Sequence, residues 1–170
     1  MNPSWVIRTG RLVLQPVSVA DLPELQALKA DPRVFAVMLG GVRTPHQTAE
    51  DLAGEIGFWG RHGVGIWTVR HRESGTFLGI TGFMDRPDGL GIALRFAFVP
   101  GAHGRGYASE AAAAALRFAH ERAGLARLVA VARADNVASR QVLGSIGMRE
   151  CGGFERAGVP MLIFESARTG

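Results

Sequence analysis

Two kinds of hydrophobic spacing alternate along the chain and predict a mixture of strands and helices. Apolar residues at every second position predict strands over residues 11–15, 66–70, 77–84, 91–99, 128–132, 148–152 and 161–164. Apolar residues three or four positions apart, bounded by proline, serine or glycine, predict helices over residues 21–30, 44–61, 107–123 and 137–146. We therefore expect an α/β (α+β) fold with six to seven strands and about four helices.

The order of these elements predicts a mixed, mostly antiparallel sheet. Only short turns separate the strands at 66–70, 77–84 and 91–99, so these strands are expected to run antiparallel. The predicted helix 107–123 joins 91–99 to 128–132, and a helical crossover makes the two strands it connects parallel. A chain of 170 residues fits one domain, which would span residues 1–170.

Composition narrows the class of protein. Hydrophobic residues make up 47% of the chain, yet no apolar run approaches the roughly 20 residues of a membrane span, and the N-terminus lacks a signal-peptide pattern. The only cysteine, Cys151, cannot form an internal disulfide, is expected to be buried, and favours a cytoplasmic location. The net charge of +4 comes from arginines scattered along the chain, which favours a small anionic ligand over nucleic acid. Neither nucleic acid nor a membrane is an expected partner.

A glycine-rich turn between the predicted strand 91–99 and the helix after it is a candidate anion site. The sequence VPGAHGRGYASEA, residues 99–111, places Gly104 and Gly106 directly before the helix. The first backbone N–H groups of a helix have no intrahelical acceptor, and the helix dipole adds partial positive charge there. Glycine leaves room for a bulky anion beside the backbone and permits positive φ. The expected ligand is a phosphate group.

Two common phosphate-binding motifs fit this turn poorly. No lysine follows the glycines, which argues against a P-loop, and Ser109 stands where the dinucleotide fingerprint needs its third glycine. A dinucleotide-dependent oxidoreductase is therefore the weaker alternative. On spacing alone, the two glycines also fit a purely structural turn.

Several separate motifs occur in a fixed order along the chain. They are TGRLVL at 9–14, ADLPEL at 20–25, GITG at 79–82, GRGYASEA at 104–111, NVASRQVL at 136–143 and GM at 147–148. In this order they resemble the GCN5-related N-acetyltransferases, the GNAT family, and in particular its RimJ/RimL-type ribosomal-protein N-terminal acetyltransferases. The resemblance implies a GNAT-like sheet that splays beside the strand preceding the glycine turn. It also implies an acyltransferase that needs no metal and moves an acetyl group from the cosubstrate acetyl-CoA to a primary amine, on a protein N-terminus or a small molecule.

The same resemblance implies roles for individual residues. The glycine turn and helix start would bind the coenzyme pyrophosphate, the edge of the preceding strand would bind the pantetheine arm, and the start of the next helix would add further contacts. These cofactor-binding residues are Phe96, Ala97, Phe98, Val99, Gly104, Arg105, Gly106, Tyr107, Ala108, Ser109, Asn136, Ser139 and Arg140. A backbone N–H of Ala97 or Phe98 would stabilise the oxyanion, and Ser139 would be catalytic, as proton donor to the leaving sulfur.

Three positions depart from the family pattern. The acid that the branch often carries in strand 91–99 is Ala93 here, which leaves a water chain or Asp85 as the general base. The tyrosine that often acts as general acid is Leu143, so Ser139 becomes the best proton donor. Gly101 stands where the family often has a phosphate-binding arginine or glutamine. These departures raise a second alternative, a coenzyme A-binding protein with weak or lost catalysis. The acetyl acceptor and the oligomeric state, a homodimer included, stay open.

Overall fold

An eight-stranded sheet runs through the protein, whose computed structural model describes residues 2 to 168. Across the sheet the strands lie in the order β1-β2-β3-β4-β5-β6-β8-β7, and every neighbouring pair is antiparallel except β5 and β6. The predicted mixed, mostly antiparallel sheet is thereby confirmed. The strands are β1 (Ile7–Arg8), β2 (Leu12–Pro16), β3 (Ile66–His71), β4 (Phe77–Asp85), β5 (Ile92–Phe98), β6 (Arg127–Arg133), β7 (Arg149–Arg156) and β8 (Val159–Ala167).

Five α-helices pack on this sheet or on one another. The helices are α1 (Leu22–Ala30), α2 (Pro32–Phe35), α3 (Pro45–His62), α4 (Tyr107–Glu121) and α5 (Val137–Ser145). The described part of the chain contains no helix long and apolar enough to cross a membrane.

Aromatic side chains from both helices and strands form the centre of the core. Trp59 of α3, Trp67 of β3 and Phe118 of α4 are almost completely buried. The rings of Trp59 and Trp67 meet edge to face with centroids 4.8 Å apart, and those of Trp67 and Phe118 do so at 5.3 Å. Around them, the buried alanines of α4 let that helix lie close against β4 and β5. This packing fixes the glycine turn, which joins β5 to α4, at the end of the sheet's central strands.

The element count differs from the expectation of six to seven strands and about four helices. The additional strand, β1, has only two residues, too few to show a period of two. The additional helix, α2, is a single turn begun by Asp31, whose side chain accepts a hydrogen bond from the backbone N–H of Arg33. The expectation of a buried Cys151 is wrong: the residue is exposed, because β7 is the outermost strand of the sheet and most of its residues face solvent.

Strands β5 and β6 separate almost as soon as they meet. Their ladder contains one residue pair, Ala93 with Val129, whereas β4 and β5 pair along seven positions. Beyond Ala93, therefore, one edge of β5 faces a gap rather than a neighbouring strand. The splayed sheet implied by the family resemblance lies at the expected place.

Candidate active site

The gap between β5 and β6 opens into a cavity of about 890 Å³. At one end of it is the glycine turn with the start of α4; we call this the turn end (Gly104, Gly106, Tyr107, Ala108 and Ser109). At the other is a group of cationic side chains, the arginine end (Arg43, Arg86 and Arg95). Arg86 follows directly after β4, whose Asp85 pairs with the first residue of β5, whereas the turn follows the last residue of β5. The two ends therefore lie at opposite ends of β5.

At the turn end, the backbone presents a row of unsatisfied donors. Gly104 and Gly106 have φ of +74° and +79°, a conformation that L side chains rarely adopt. The first backbone hydrogen bond of α4 runs from the N–H of Glu110 to the carbonyl of Gly106. Among residues 2 to 168, none of the backbone N–H groups of residues 104 to 109 donates a well-formed hydrogen bond. These N–H groups and the dipole of a fifteen-residue helix form an anion site.

A contact from the far N-terminal part of the chain holds this turn in place. The Arg11 guanidinium donates hydrogen bonds to Glu110 Oε1 at 2.8 Å and to the carbonyl of Arg105 at 2.8 Å, and lies over the Tyr107 ring, 4.5 Å from its centroid. Glu110 Oε2 accepts hydrogen bonds from the backbone N–H of Arg11 and from the hydroxyl of Thr9. Burial alone would raise the pKa of Glu110, but the hydrogen bonds from Thr9 and Arg11 outweigh it and lower that pKa. The TGR motif at 9–11 carried the family resemblance, yet nothing in the spacing showed this role.

The free edge of β5 forms one wall of the cavity. Phe96, Ala97 and Phe98 line it, as expected for a strand that offers its edge to an extended ligand. Val99 lies outside this wall, and its N–H donates to the carbonyl of Leu78 on β4. The carbonyl of Phe98 accepts a hydrogen bond from the Nε2 of His103 at 2.8 Å. The part of the β5 edge that is free to bind a ligand therefore lies on the N-terminal side of the Phe98 carbonyl.

The start of α5 contributes Asn136 and Ser139 to the wall. Asn136 Oδ1 accepts the backbone N–H of Ser139 at 3.1 Å and so caps the helix. The hydroxyl of Ser139 lines the cavity, and no other described residue lies within hydrogen-bond distance of it. Arg140 and Arg105 are exposed and outside the cavity wall, and Arg140 donates to the carbonyl of Ala134. The sequence-predicted site residues are thus brought together, except that Val99, Arg105 and Arg140 lie beside the cavity rather than in its wall.

The two departures at the reacting centre have clear structural counterparts. Ala93 and Leu143 both line the cavity and are buried, so neither position offers a titratable group. Asp85 is exposed and does not line the cavity. The one carboxylate in the described cavity wall is Asp135, which accepts hydrogen bonds from Arg133 at 3.0 and 3.1 Å; these hydrogen bonds lower its pKa. A water molecule is the remaining candidate for the general base.

At the arginine end, several charges lie close together behind β5. Lys29 of α1 forms an ion pair with Glu55 of α3 at 2.8 Å, and both side chains are buried. Burial nevertheless raises the pKa of Glu55, because desolvation disfavours its charge more than Lys29 favours it. No pattern in the sequence indicated this group, because Lys29, Arg43, Glu55, Arg86 and Arg95 come from five separate segments.

Comparison with known proteins agrees with this architecture. Residues 11–149 match the family model described as the acetyltransferase (GNAT) domain. An acetyltransferase from Agrobacterium tumefaciens is 28% identical with a TM-score of 0.84, over 96% of this chain and 94% of that one.

Two more distant structures share the fold. One, from Salmonella typhimurium, modifies the N-terminal serine of the 50S ribosomal subunit protein L7/L12; it is 17% identical with a TM-score of 0.82, over 96% of this chain and 99% of that one. The other is the RimL ribosomal L7/L12 α-N-protein acetyltransferase in complex with coenzyme A, 18% identical with a TM-score of 0.80, over 95% and 97% of the two chains. Together with the family match over most of the chain, the splayed sheet and the free amides of the glycine turn lead to one conclusion: the protein belongs to the GNAT family of acetyltransferases, which use acetyl-CoA.

Proposed function

We propose that the cavity between β5 and β6 binds acetyl-CoA, and that a primary amine enters from the arginine end to accept its acetyl group. The observation that carries the proposal is the row of six free backbone N–H groups, residues 104 to 109, beside a cavity that the splayed sheet opens. A helix leaves its first N–H groups without intrahelical acceptors in any case, and here the N–H groups of the exposed turn before it, residues 104 to 106, are free as well, so a longer row of donors is available to an anion.

Each part of the cavity wall suits one part of the coenzyme. The amides of the turn end and the α4 dipole would hold the pyrophosphate. The free edge of β5 would pair with the amides of the pantetheine arm as an added strand would. That direction would bring the thioester towards Ala97 and Ser139, which both line the cavity.

The reaction asks three things of this chain. The amine must be neutral when its nitrogen attacks the thioester carbon, the carbonyl oxygen must be stabilised as it gains negative charge, and the sulfur must take up a proton as the C–S bond breaks. The N–H of Ala97 points to β4, because successive residues of a strand point to opposite edges and Val99 donates to Leu78 of β4. The N–H of Phe98 points to the gap and would stabilise the oxygen. The hydroxyl of Ser139 would give its proton to the sulfur. A water molecule would take a proton from the amine nitrogen and pass a proton on to the Ser139 oxygen, which restores the hydroxyl.

The acceptor is a primary amine on a protein N-terminus or on a small molecule. Two proteins of the same fold modify the N-termini of ribosomal proteins, which supports membership in the RimJ/RimL-type branch and a cytoplasmic location for this chain.

Two measurements test this function. Coenzyme A and acetyl-CoA should raise the melting temperature while NADH does not, because a ligand that binds only the native state stabilises it by mass action. A panel of amines and peptide N-termini should then release the free thiol from acetyl-CoA. Stabilisation by NADH alone would contradict the proposal.

A second candidate function is coenzyme A binding with weak catalysis. It is favoured by the buried alanine at position 93 and by the absence of an unpaired carboxylate from the described cavity wall. Stabilisation by acetyl-CoA without thiol release for any amine would select this candidate.

A further inference from the structure

Arg95 is a partly buried cation whose guanidinium has no hydrogen-bond partner among the described residues. It stands on β5 in the cavity wall, and within residues 2 to 168 no group accepts a hydrogen bond from its guanidinium. Burial lowers the pKa of Arg95; the charge of Glu55 raises it in part, and the nearby charges of Arg86 and Arg43 lower it further. Because arginine stays charged in proteins, the side chain keeps its positive charge where that charge is poorly solvated.

The other cations of the arginine end already have partners. Arg43 donates to Asp51 at 3.1 Å and to the carbonyls of Leu39 and Gly41, and Arg86 donates to Asp88 at 2.7 Å. Behind them, Lys29 pairs with Glu55. Glu55 Oε2 has no partner, and it does not come within hydrogen-bond distance of Arg95. The local ion pairs therefore leave one guanidinium uncompensated, in the wall of the cavity through which the acceptor would pass.

We infer that Arg95 binds a carboxylate on the acceptor, so that the preferred substrates are primary amines that carry a nearby carboxylate group. This inference rests on the proposed function and names the substrate class for the same site. At the arginine end itself, Arg95 carries the single uncompensated charge, which matches a carboxylate better than a doubly charged phosphate. The guanidinium fork matches the two oxygens of a carboxylate.

The neighbours of Arg95 on β5 leave room for such a contact. Side chains alternate between the two faces of a strand, so Ala93 and Ala97 share the face of Arg95. Both are buried alanines that line the cavity, and neither is large enough to cover the guanidinium. Arg156, at the end of β7, lines the same cavity and also has no described hydrogen-bond partner, which adds a second positive charge to attract an anionic acceptor.

The inference predicts a preference that matched pairs of acceptors measure. One pair is β-alanine with β-alaninamide, and a second is a peptide that begins Ser-Glu with one that begins Ser-Gln. A third pair, aminoethyl phosphate with ethanolamine, tests whether a phosphate is preferred instead of a carboxylate. Hydrogen bonds to a charged group predict that kcat/KM for the carboxylate member exceeds that for its neutral partner by about ten- to a hundredfold. The small pair and the peptide pair distinguish a free amine from a protein N-terminus as the source of the carboxylate.

Variants assign the preference to Arg95. Arg95→Gln should reduce the ratio within a pair towards one, and Arg95→Lys, which keeps the charge and loses the fork, should leave an intermediate ratio. Arg33→Gln is the matched control, because Arg33 borders the same cavity but is exposed and paired with Asp31 at 2.7 Å; it should keep the wild-type ratio. If Arg95→Gln folds poorly, the ratio measured for Arg95→Lys alone tests the role of Arg95.

Each outcome supports or overturns the inference separately from the proposed function. Equal use of both members of every pair, a larger preference for the phosphate amine, or a wild-type ratio in both Arg95 variants would overturn it. If acetyl-CoA stabilises the protein but no amine is acetylated, thermal shifts of the coenzyme complex decide instead: carboxylate amines must stabilise it more than their amides. Failure of acetyl-CoA to bind would contradict the proposed function itself.

Discussion

The turn end and the arginine end of the cavity are built from different parts of the polypeptide. The turn end consists of backbone N–H groups in one continuous stretch, residues 104 to 109, at the start of one helix. The arginine end consists of side chains from three separate segments: Arg43 follows α2, Arg86 follows β4, and Arg95 lies in the middle of β5. These side chains meet only in the folded chain. A cosubstrate common to a whole family can be bound by backbone geometry, whereas selection of an acceptor needs side chains that vary.

The largest expected effect concerns Ser139, which lines the cavity at the start of α5. If its hydroxyl protonates the leaving sulfur, Ser139→Ala should lower turnover by roughly ten- to a thousandfold with little change in coenzyme affinity, because buried, apolar Leu143 offers no second donor. Turnover with a saturating amine and calorimetric coenzyme affinity measure the two quantities.

The matched control for Ser139 is Ser145→Ala on the same helix. Ser145 also lines the cavity, but its hydroxyl is bonded to the carbonyl of Val142 and to Ser109. Full turnover in Ser139→Ala, or an equal loss in both variants, would remove the assignment of Ser139 as the proton donor.

Gly106→Val should disrupt the turn end and leave the arginine end intact. A β-branched side chain is strained at a φ of +79°, and its Cβ would lie 3.3 Å from the Arg11 guanidinium. The turn would shift to relieve this strain, and the added methyl groups would occupy the space through which a pyrophosphate reaches the amides, so coenzyme affinity should fall by about tenfold or more.

Gly101→Ala serves as the control for Gly106, because Gly101 lies outside the cavity wall, has an ordinary φ and has open space where the alanine Cβ would lie. Its affinity should stay within about twofold of wild type. Normal coenzyme binding by a folded Gly106→Val protein would contradict the assignment of the turn to the pyrophosphate.

Glu110→Gln should loosen the support of the turn. The substitution removes the charge that Thr9 and Arg11 bind, and we expect a loss of about 1 to 2 kcal/mol in the free energy of unfolding. Because the folded protein lowers the pKa of Glu110, the charged form contributes stability above the ordinary pKa of glutamate, and that stability is lost as the pH falls through the lowered value. Denaturation at pH 7 and in acid should therefore show a difference between wild type and variant that shrinks in acid. A constant difference would show that the charge of Glu110 does not matter.

Arg140→Ala should have the smallest effect. Arg140 is exposed beside the cavity and bonded to the carbonyl of Ala134, so a contact with a coenzyme phosphate would be a surface ion pair. Coenzyme affinity should fall by no more than about fivefold, and the difference should disappear at high salt. A larger loss that persists in salt would place Arg140 in the main phosphate site.

The same contrast explains what the sequence could reveal. The glycine turn, the helix that follows it and the parallel crossover are local patterns, and all three are confirmed. The contact of Arg11 with Glu110 joins residues 99 positions apart, and the partnerless state of Arg95 depends on four other segments. Neither hydrophobic periodicity nor a short motif can indicate contacts between residues so far apart in the sequence.

Edges of the sheet are equally hard to predict. β7 carries glycines, charged residues and a register shift between Glu150 and Gly152, so its alternating hydrophobic pattern stops before the strand does. For the same reason the prediction of a buried Cys151 is wrong. A strand at the edge of a sheet buries little of either face, and it leaves a weak signal in the sequence.

The single ladder pair between β5 and β6 has a consequence for how the protein opens. In residues 2 to 168 only Ala93 and Val129 join the β6–β8 part of the sheet to the β1–β5 part by strand pairing, so we expect the strand hydrogen bonds on the two sides of the gap to open in separate transitions. A ligand that bridges the gap adds contacts to both parts at once. Hydrogen exchange at β6 and β8 should then slow together with exchange at β5, as two opening transitions merge into one.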